Sequence, residues 1–133
     1  MNRKRIVVTI LITTASVVAG GCLYLIQSEY TRPLPGQYRT FAATGDVTVC
    51  DSAGGVVVGS VKGLRLLGDL IVGLSRFDEG DPWPAEHPGF FVIDASANAV
   101  AVGLTSDELR SKLELRGERI PELRDPRWVW GIW

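Results

Sequence analysis

The chain has 133 residues with 14 basic and 15 acidic side chains, a formal charge of −1. Arg3, Lys4 and Arg5 stand at the extreme N-terminus, so the part after residue 26 carries eleven basic against fifteen acidic side chains, a balance of −4. A mildly acidic body has no basic face for phosphates, which excludes nucleic acid as the expected partner, and the roughly 100 residues beyond residue 26 suffice for one small domain and not two.

Residues 6–26, IVVTILITTASVVAGGCLYLI, contain no charge and follow the basic residues directly. A basic start and an apolar stretch are the first two parts of a secretory signal. Three fates follow for the segment. Ala19-Gly20-Gly21-Cys22 resembles the lipobox of bacterial lipoproteins, which makes Cys22 a candidate lipidation site. Ala19 stands where that group usually has Leu, and Leu23 to Ile26 continue the apolar run where lipoproteins turn polar. Simple cleavage is the second fate. The third is an uncut anchor: 21 residues at 1.5 Å each give a helix of roughly 30 Å, the thickness of a hydrocarbon core. Tyr24 would then sit near the interface. We carry the uncut anchor as the expectation. The basic residues keep the N-terminus cytoplasmic, which puts the rest of the chain outside the bacterial inner membrane, in the periplasm or at the outer surface.

Residues 27–45 read as a tether, because Pro33, Pro35 and Gly36 interrupt helix and favour extended backbone. From Asp46 the pattern turns β-rich. Val47 and Val49 alternate with Thr48 and Cys50, a half-buried strand; residues 51–55 supply a turn and Val56–Val58 open another strand. In LRLLGDLIVGL, Gly68-Asp69 separates two apolar runs and predicts a type II′ hairpin turn. Residues 78–89 form a proline-rich loop. FFVID and AVAVGL then predict a second hairpin, with Asp94 accepting backbone N–H bonds to start the turn and Asn98 in the left-handed region.

One helix follows. Thr105 and Glu108 form a capping box, Leu104 and Leu109 occupy staple positions, Leu109 and Leu113 share a face, and Gly117 suits the position past the last turn. Pro121 and Pro126 set off the C-terminal RWVWGIW. There Trp128, Trp130 and Trp133 could form a final strand, a foot on the membrane interface or an anchor for a protein partner. The expected fold is therefore α+β. It has a basic start (1–5), an N-terminal transmembrane helix (6–26), a tether (27–45), a small antiparallel sheet of hairpins with one short capped helix (46–117), and a Trp-rich segment (118–133).

The stretch from Gly68 to Leu109, with Phe90, Phe91, Val92, Ile93 and Asp94 in its aromatic strand, a turn, Gly103-Leu104 and a short helix, resembles small uncharacterised membrane-anchored proteins of Gram-negative bacteria. The resemblance implies placement and fold and carries no activity with it.

Catalytic chemistry has few candidates. The densest polar cluster is Asp78, Glu79, Asp81, Glu86 and His87, where carboxylates and the one histidine are of types that bind a divalent cation or transfer protons. Its spacing fits no EF-hand. There is no nucleophile elbow, no phosphate loop and no Cys/His set for zinc, and Cys22 and Cys50 form no disulfide framework. No cofactor is expected. The primary expectation is a single-pass membrane protein presenting a non-enzymatic interaction domain, with the membrane and an envelope protein as partners. The alternatives are a lipoprotein lipidated at Cys22 and a small envelope hydrolase or metal-dependent enzyme using the Asp78–His87 loop.

Overall fold

A computed structural model of the chain describes residues 9–10, 12–19, 30–43 and 46–127. Of the expected transmembrane helix over residues 6–26, positions 9–10 and 12–19 are helical and the others lie outside the described residues. Among the described residues, no helix is long and apolar enough to cross a membrane. Cys22 and the Trp128, Trp130 and Trp133 segment also lie outside them.

The folded part is α+β, with eight strands and one capped helix among the described residues. The strands form two antiparallel meanders rather than the single sheet expected. The first joins β1 (Tyr30–Pro33), β2 (Arg39–Ala43), β3 (Asp46–Cys50) and β4 (Val56–Val58) in sequence order; the second joins β5 (Val61–Leu67), β6 (Leu70–Ser75), β7 (Gly89–Asp94) and β8 (Ala99–Leu104). Residues 30–43, expected to be tether, thus supply two strands. Tyr30 pairs with Ala42, and Pro33 with Arg39 at the far end of the edge strand, where a missing N–H costs no central ladder bond. Leu34 and Tyr38, in the turn between β1 and β2, are buried. Their burial holds a segment that its prolines alone would leave extended.

The two sheets face each other. Val47, Val49 and Val58 from the first sheet and Leu64, Ile71, Phe91 and Ile93 from the second share one core. The second sheet is the middle layer, because its other face packs Leu70, Val72 and Leu104 against Leu109 and Leu113 of the helix Ser106–Glu114. This layering accounts for the two sequence patterns. DVTVC of the outer sheet alternates and sends Val47 and Val49 into the shared core, while the middle-sheet strands, covered on both faces, read as unbroken apolar runs, as LIVGL and FFVI do.

Local signals match their elements. Gly68 has φ +59° while Asp69 stays out of the positive region, the arrangement of a type II′ turn. Asn98 has φ +49°. Thr105 caps the helix through a full capping box, and Leu109 and Leu113 are its buried residues. Past the helix, Gly117 (φ +72°) closes the end as Glu118 N donates to Leu113 O and Gly117 N to Glu114 O, the bond pair of a Schellman motif.

The chain between the helix and Arg127 is not a separate unit. Leu64 and Arg124 exchange backbone hydrogen bonds of 2.8 and 3.1 Å, which covers the outer edge of β5. Leu123 lies against Gly63, and Pro126 is buried.

The two facing meanders also meet at both ends. At one end Gly36 approaches Ala95, and Gln37 donates to Asn98 at 3.2 Å, so the β1–β2 turn meets the β7–β8 turn. At the other end the Gly59-Ser60 corner passes the chain from one sheet to the next. Ser60, buried with φ +51°, is pinned there: its carbonyl accepts from Arg76 N, and Ser75 Oγ donates to Gly59 O at 2.6 Å.

Candidate functional site

A cleft opens at the hairpin tips, between the middle sheet and the C-terminal end of the helix. It holds about 450 Å³, within the range of small-ligand sites. Leu70, Val92 and Ala101 form its apolar floor, and Lys112, Leu115 and Arg116 its rim. Lys112, in the last turn of the helix, and Arg116, just past its end, both border the cleft. Leu115 beside them is 88% exposed, a large apolar side chain left in solvent at the rim.

Asp94 and Arg116 are fixed by two different local structures. Asp94 ends β7 and organises the turn: its Oδ1 accepts Ser96 N at 3.1 Å, Ser96 Oγ at 2.6 Å and Ala97 N at 3.3 Å. Its Oδ2 accepts from Arg116 Nη2 in an ion pair. The Ser96 hydroxyl, joined by the Arg116 guanidinium, holds the Asp94 carboxyl at about 2. Asp94 is therefore ionised at neutral pH and acts as a strut for Arg116, not as a base. The Asp94 side chain is 8% exposed and that of Arg116 50%, so the guanidinium keeps donors free toward the cleft. The result is an apolar slot with a cationic rim and a buried counter-charge.

The loop cluster read as an enzymatic alternative comes together only in part: Asp78 and Asp81 line one hollow with Lys62, and Glu86 and His87 do not reach it. Asp81 accepts from Lys62 Nζ at 2.7 Å and from Asp78 N at 2.7 Å; Asp78 pairs with Arg76 at 2.7 Å. The Lys62 ammonium holds Asp81, and the Arg76 guanidinium holds Asp78, below the usual carboxylate range. Both are thus poor proton-transfer groups near neutrality. Glu79 is exposed. Glu86 and His87 line a different hollow with Val56, Val57 and Val102. Among the described residues, no group of three or more His, Cys, Asp or Glu side chains is placed to hold a metal ion. Cys50 is buried with a free thiol, and Thr48 Oγ1 lies 3.6 Å from its sulfur.

Sequence reading found Asp94 as a turn residue and counted Lys112 and Arg116 as decoration of a helix surface. The i, i+4 spacing of the two cations was the available signal. The partner of Arg116, 22 residues upstream, leaves no local trace. Comparison with protein-family models, curated proteins and solved structures returns no match.

Proposed function

We propose that this is a single-pass membrane protein whose α+β domain works outside the cytoplasmic membrane as a non-enzymatic interaction module, taking its ligand in the cleft at the hairpin tips. The observation that carries the interaction reading is the cleft itself: an apolar floor, a rim bearing Lys112 and Arg116, and a counter-ion that is already committed. Such a site binds an amphipathic group with an acidic end, such as a segment of an envelope protein partner.

The anchor reading is supported by the charge-free run behind Arg3, Lys4 and Arg5. Helical residues within it leave Ile10, Ile12, Val17 and Val18 more than half exposed. The hydroxyls of Thr13, Thr14 and Ser16 each donate at 2.9 Å to the carbonyl four residues back, which satisfies them without water. The resemblance to small anchored proteins of Gram-negative bacteria belongs to the same proposal.

Placement is tested by intact mass of the membrane-extracted protein together with protease added outside spheroplasts. A full-length mass with a digestible domain is expected; a mature form beginning at a diacylated Cys22 replaces the helix anchor with a lipid one. The cleft is tested by a photocrosslinking residue at Leu115 in cells. A discrete adduct is expected, lost with Lys112→Glu. The same adduct pattern from position 79 refutes the cleft.

A further inference from the structure

Phe77 and Trp83 are 52% and 69% exposed, and both lie on the loop between β6 and β7 at the end of the domain opposite the cleft. The hydrogen bonds locate that loop. Ser60 Oγ donates to Trp83 O at 3.3 Å, Arg76 N donates to Ser60 O at 3.1 Å, and Lys62 holds Asp81. The loop is therefore braced against the Gly59-Ser60 corner. Pro82 and Pro84 flank Trp83 and restrict its backbone further.

The chain enters the folded domain at the same end. Tyr30 pairs with Ala42, and Ala42 in turn with Val47; the β1–β2 turn lies at the cleft end, where Gly36 approaches Ala95 and Gln37 meets Asn98, so Tyr30, at the other end of β1, lies at the corner end. Ile26 closes the charge-free run only four residues before Tyr30. Four residues reach at most about 14 Å when fully extended. Resting on the anchored reading above, that leash holds Tyr30, where the chain enters this end of the domain, within about 14 Å of the hydrocarbon core.

We infer that this end of the domain rests on the outer face of the bilayer that anchors it, with Phe77 and Trp83 seated at headgroup level. Trp favours that zone because its ring is apolar and its N–H is wet. The loop ions are consistent with a lipid surface that need not be anionic. Lys62, Arg76 and Arg127 are already paired with Asp81, Asp78 and Asp125, which leaves the aromatic side chains to make the contact. The cleft then faces away from the membrane.

The test uses the full chain in phosphatidylcholine vesicles, with Trp128→Phe, Trp130→Phe and Trp133→Phe leaving Trp83 as the single emitter. In vesicles of phosphatidylcholine brominated high in the acyl chain, Trp83 emission is expected to fall by roughly half or more, and acrylamide to quench it several-fold less than in detergent-free urea. The difference between wild type and Trp83→Phe supplies the same reading with the other tryptophans in place. Carbonate extraction is run in parallel. Retention in the membrane with Trp83 open to acrylamide and untouched by bromine overturns the inference and leaves the anchor standing. Protection from both quenchers assigns the patch to a protein contact and also overturns it. Release by carbonate removes the anchor and the inference together.

Discussion

Gly73→Ala is expected to be among the most damaging one-methyl changes in the protein. Gly73 sits in β6 opposite Leu64 of β5 and Phe91 of β7. A Cβ there would stand 2.3 Å from Phe91 Cζ and 2.6 Å from the Gly63 carbonyl oxygen. Carbon atoms prefer about 3.5–4.0 Å, so the ring must retreat by more than an ångström. Phe91 is fully buried between the sheets and has nowhere to go, and the carbonyl belongs to the neighbouring backbone. Overpacking of this kind costs about 1–3 kcal/mol or more, offset by about 0.5–1 kcal/mol from replacing a strand glycine. The net cost is on the order of 1–2 kcal/mol, which for a domain of this size lowers Tm by about 4–16 °C. Thermal melts of the full chain in micelles, followed by circular dichroism, read this directly. A cycle with Phe91→Leu isolates the ring's share: with the ring gone only the Gly63 carbonyl contact remains, so the added methyl should cost less. A Gly73→Ala melt within about 2 °C of wild type, or strictly additive losses in the double variant, refutes the reasoning.

Leu113→Ala removes a side chain that is 1% exposed and should cost about 2–5 kcal/mol; a Tm no lower than that of the exposed Glu114→Ala would show that the helix does not cover this core. Asp94 titrates at about 2 in the folded chain, below the ordinary value of about 3.9. The stability it contributes is therefore present above about pH 4 and is lost as pH falls through about 2. Denaturant titrations from pH 5 to 2 should show wild type falling more steeply than Asp94→Asn, and parallel curves would sink the assignment. Asp46 behaves oppositely: burial raises its pKa, so the charged form is disfavoured in the fold, and the penalty is complete above the folded pKa and relieved as pH falls. Asp46→Asn, which keeps an acceptor for Val47 N, should melt at or above wild type at pH 7, with the difference closing in acid. A lower Tm at pH 7 would mean that attraction to Lys62 outweighs burial.

What the sequence revealed and what it hid divide along range. The Gly68-Asp69 turn, the Asp94–Asn98 turn and the Thr105 capping box each depend on residues within four positions of one another, and each was legible. The strands at 30–43 were not. Pro33, Pro35 and Gly36 argue against regular structure locally, and only burial of Leu34 and Tyr38 in a core shared with distant strands reverses that. The same limit concealed the division into two sheets, although the unbroken runs LIVGL and FFVI already carried the signature of a layer covered on both faces. The rim of the cleft was hidden because its geometry depends on the pairing of Asp94 with Arg116. The acidic loop misled in the other direction: its carboxylates are close in sequence, but Lys62 and Arg76 tie Asp78 and Asp81 into one ion-pair network, while Glu86 and His87 lie at a different hollow.

The sequential order of strands within each sheet has a consequence for how the chain comes to be folded. Every strand pair joins neighbours in sequence, so each meander can register locally and quickly. Synthesis delivers the first meander complete while the second is still being made, an interval on the order of seconds at about 5–20 residues per second. During that time Val47, Val49 and Val58 have no opposing layer, because the core they enter is completed by Leu64, Ile71, Phe91 and Ile93. The half-made molecule is a sheet with one bare oily face, and its hazard is sticking rather than misregister.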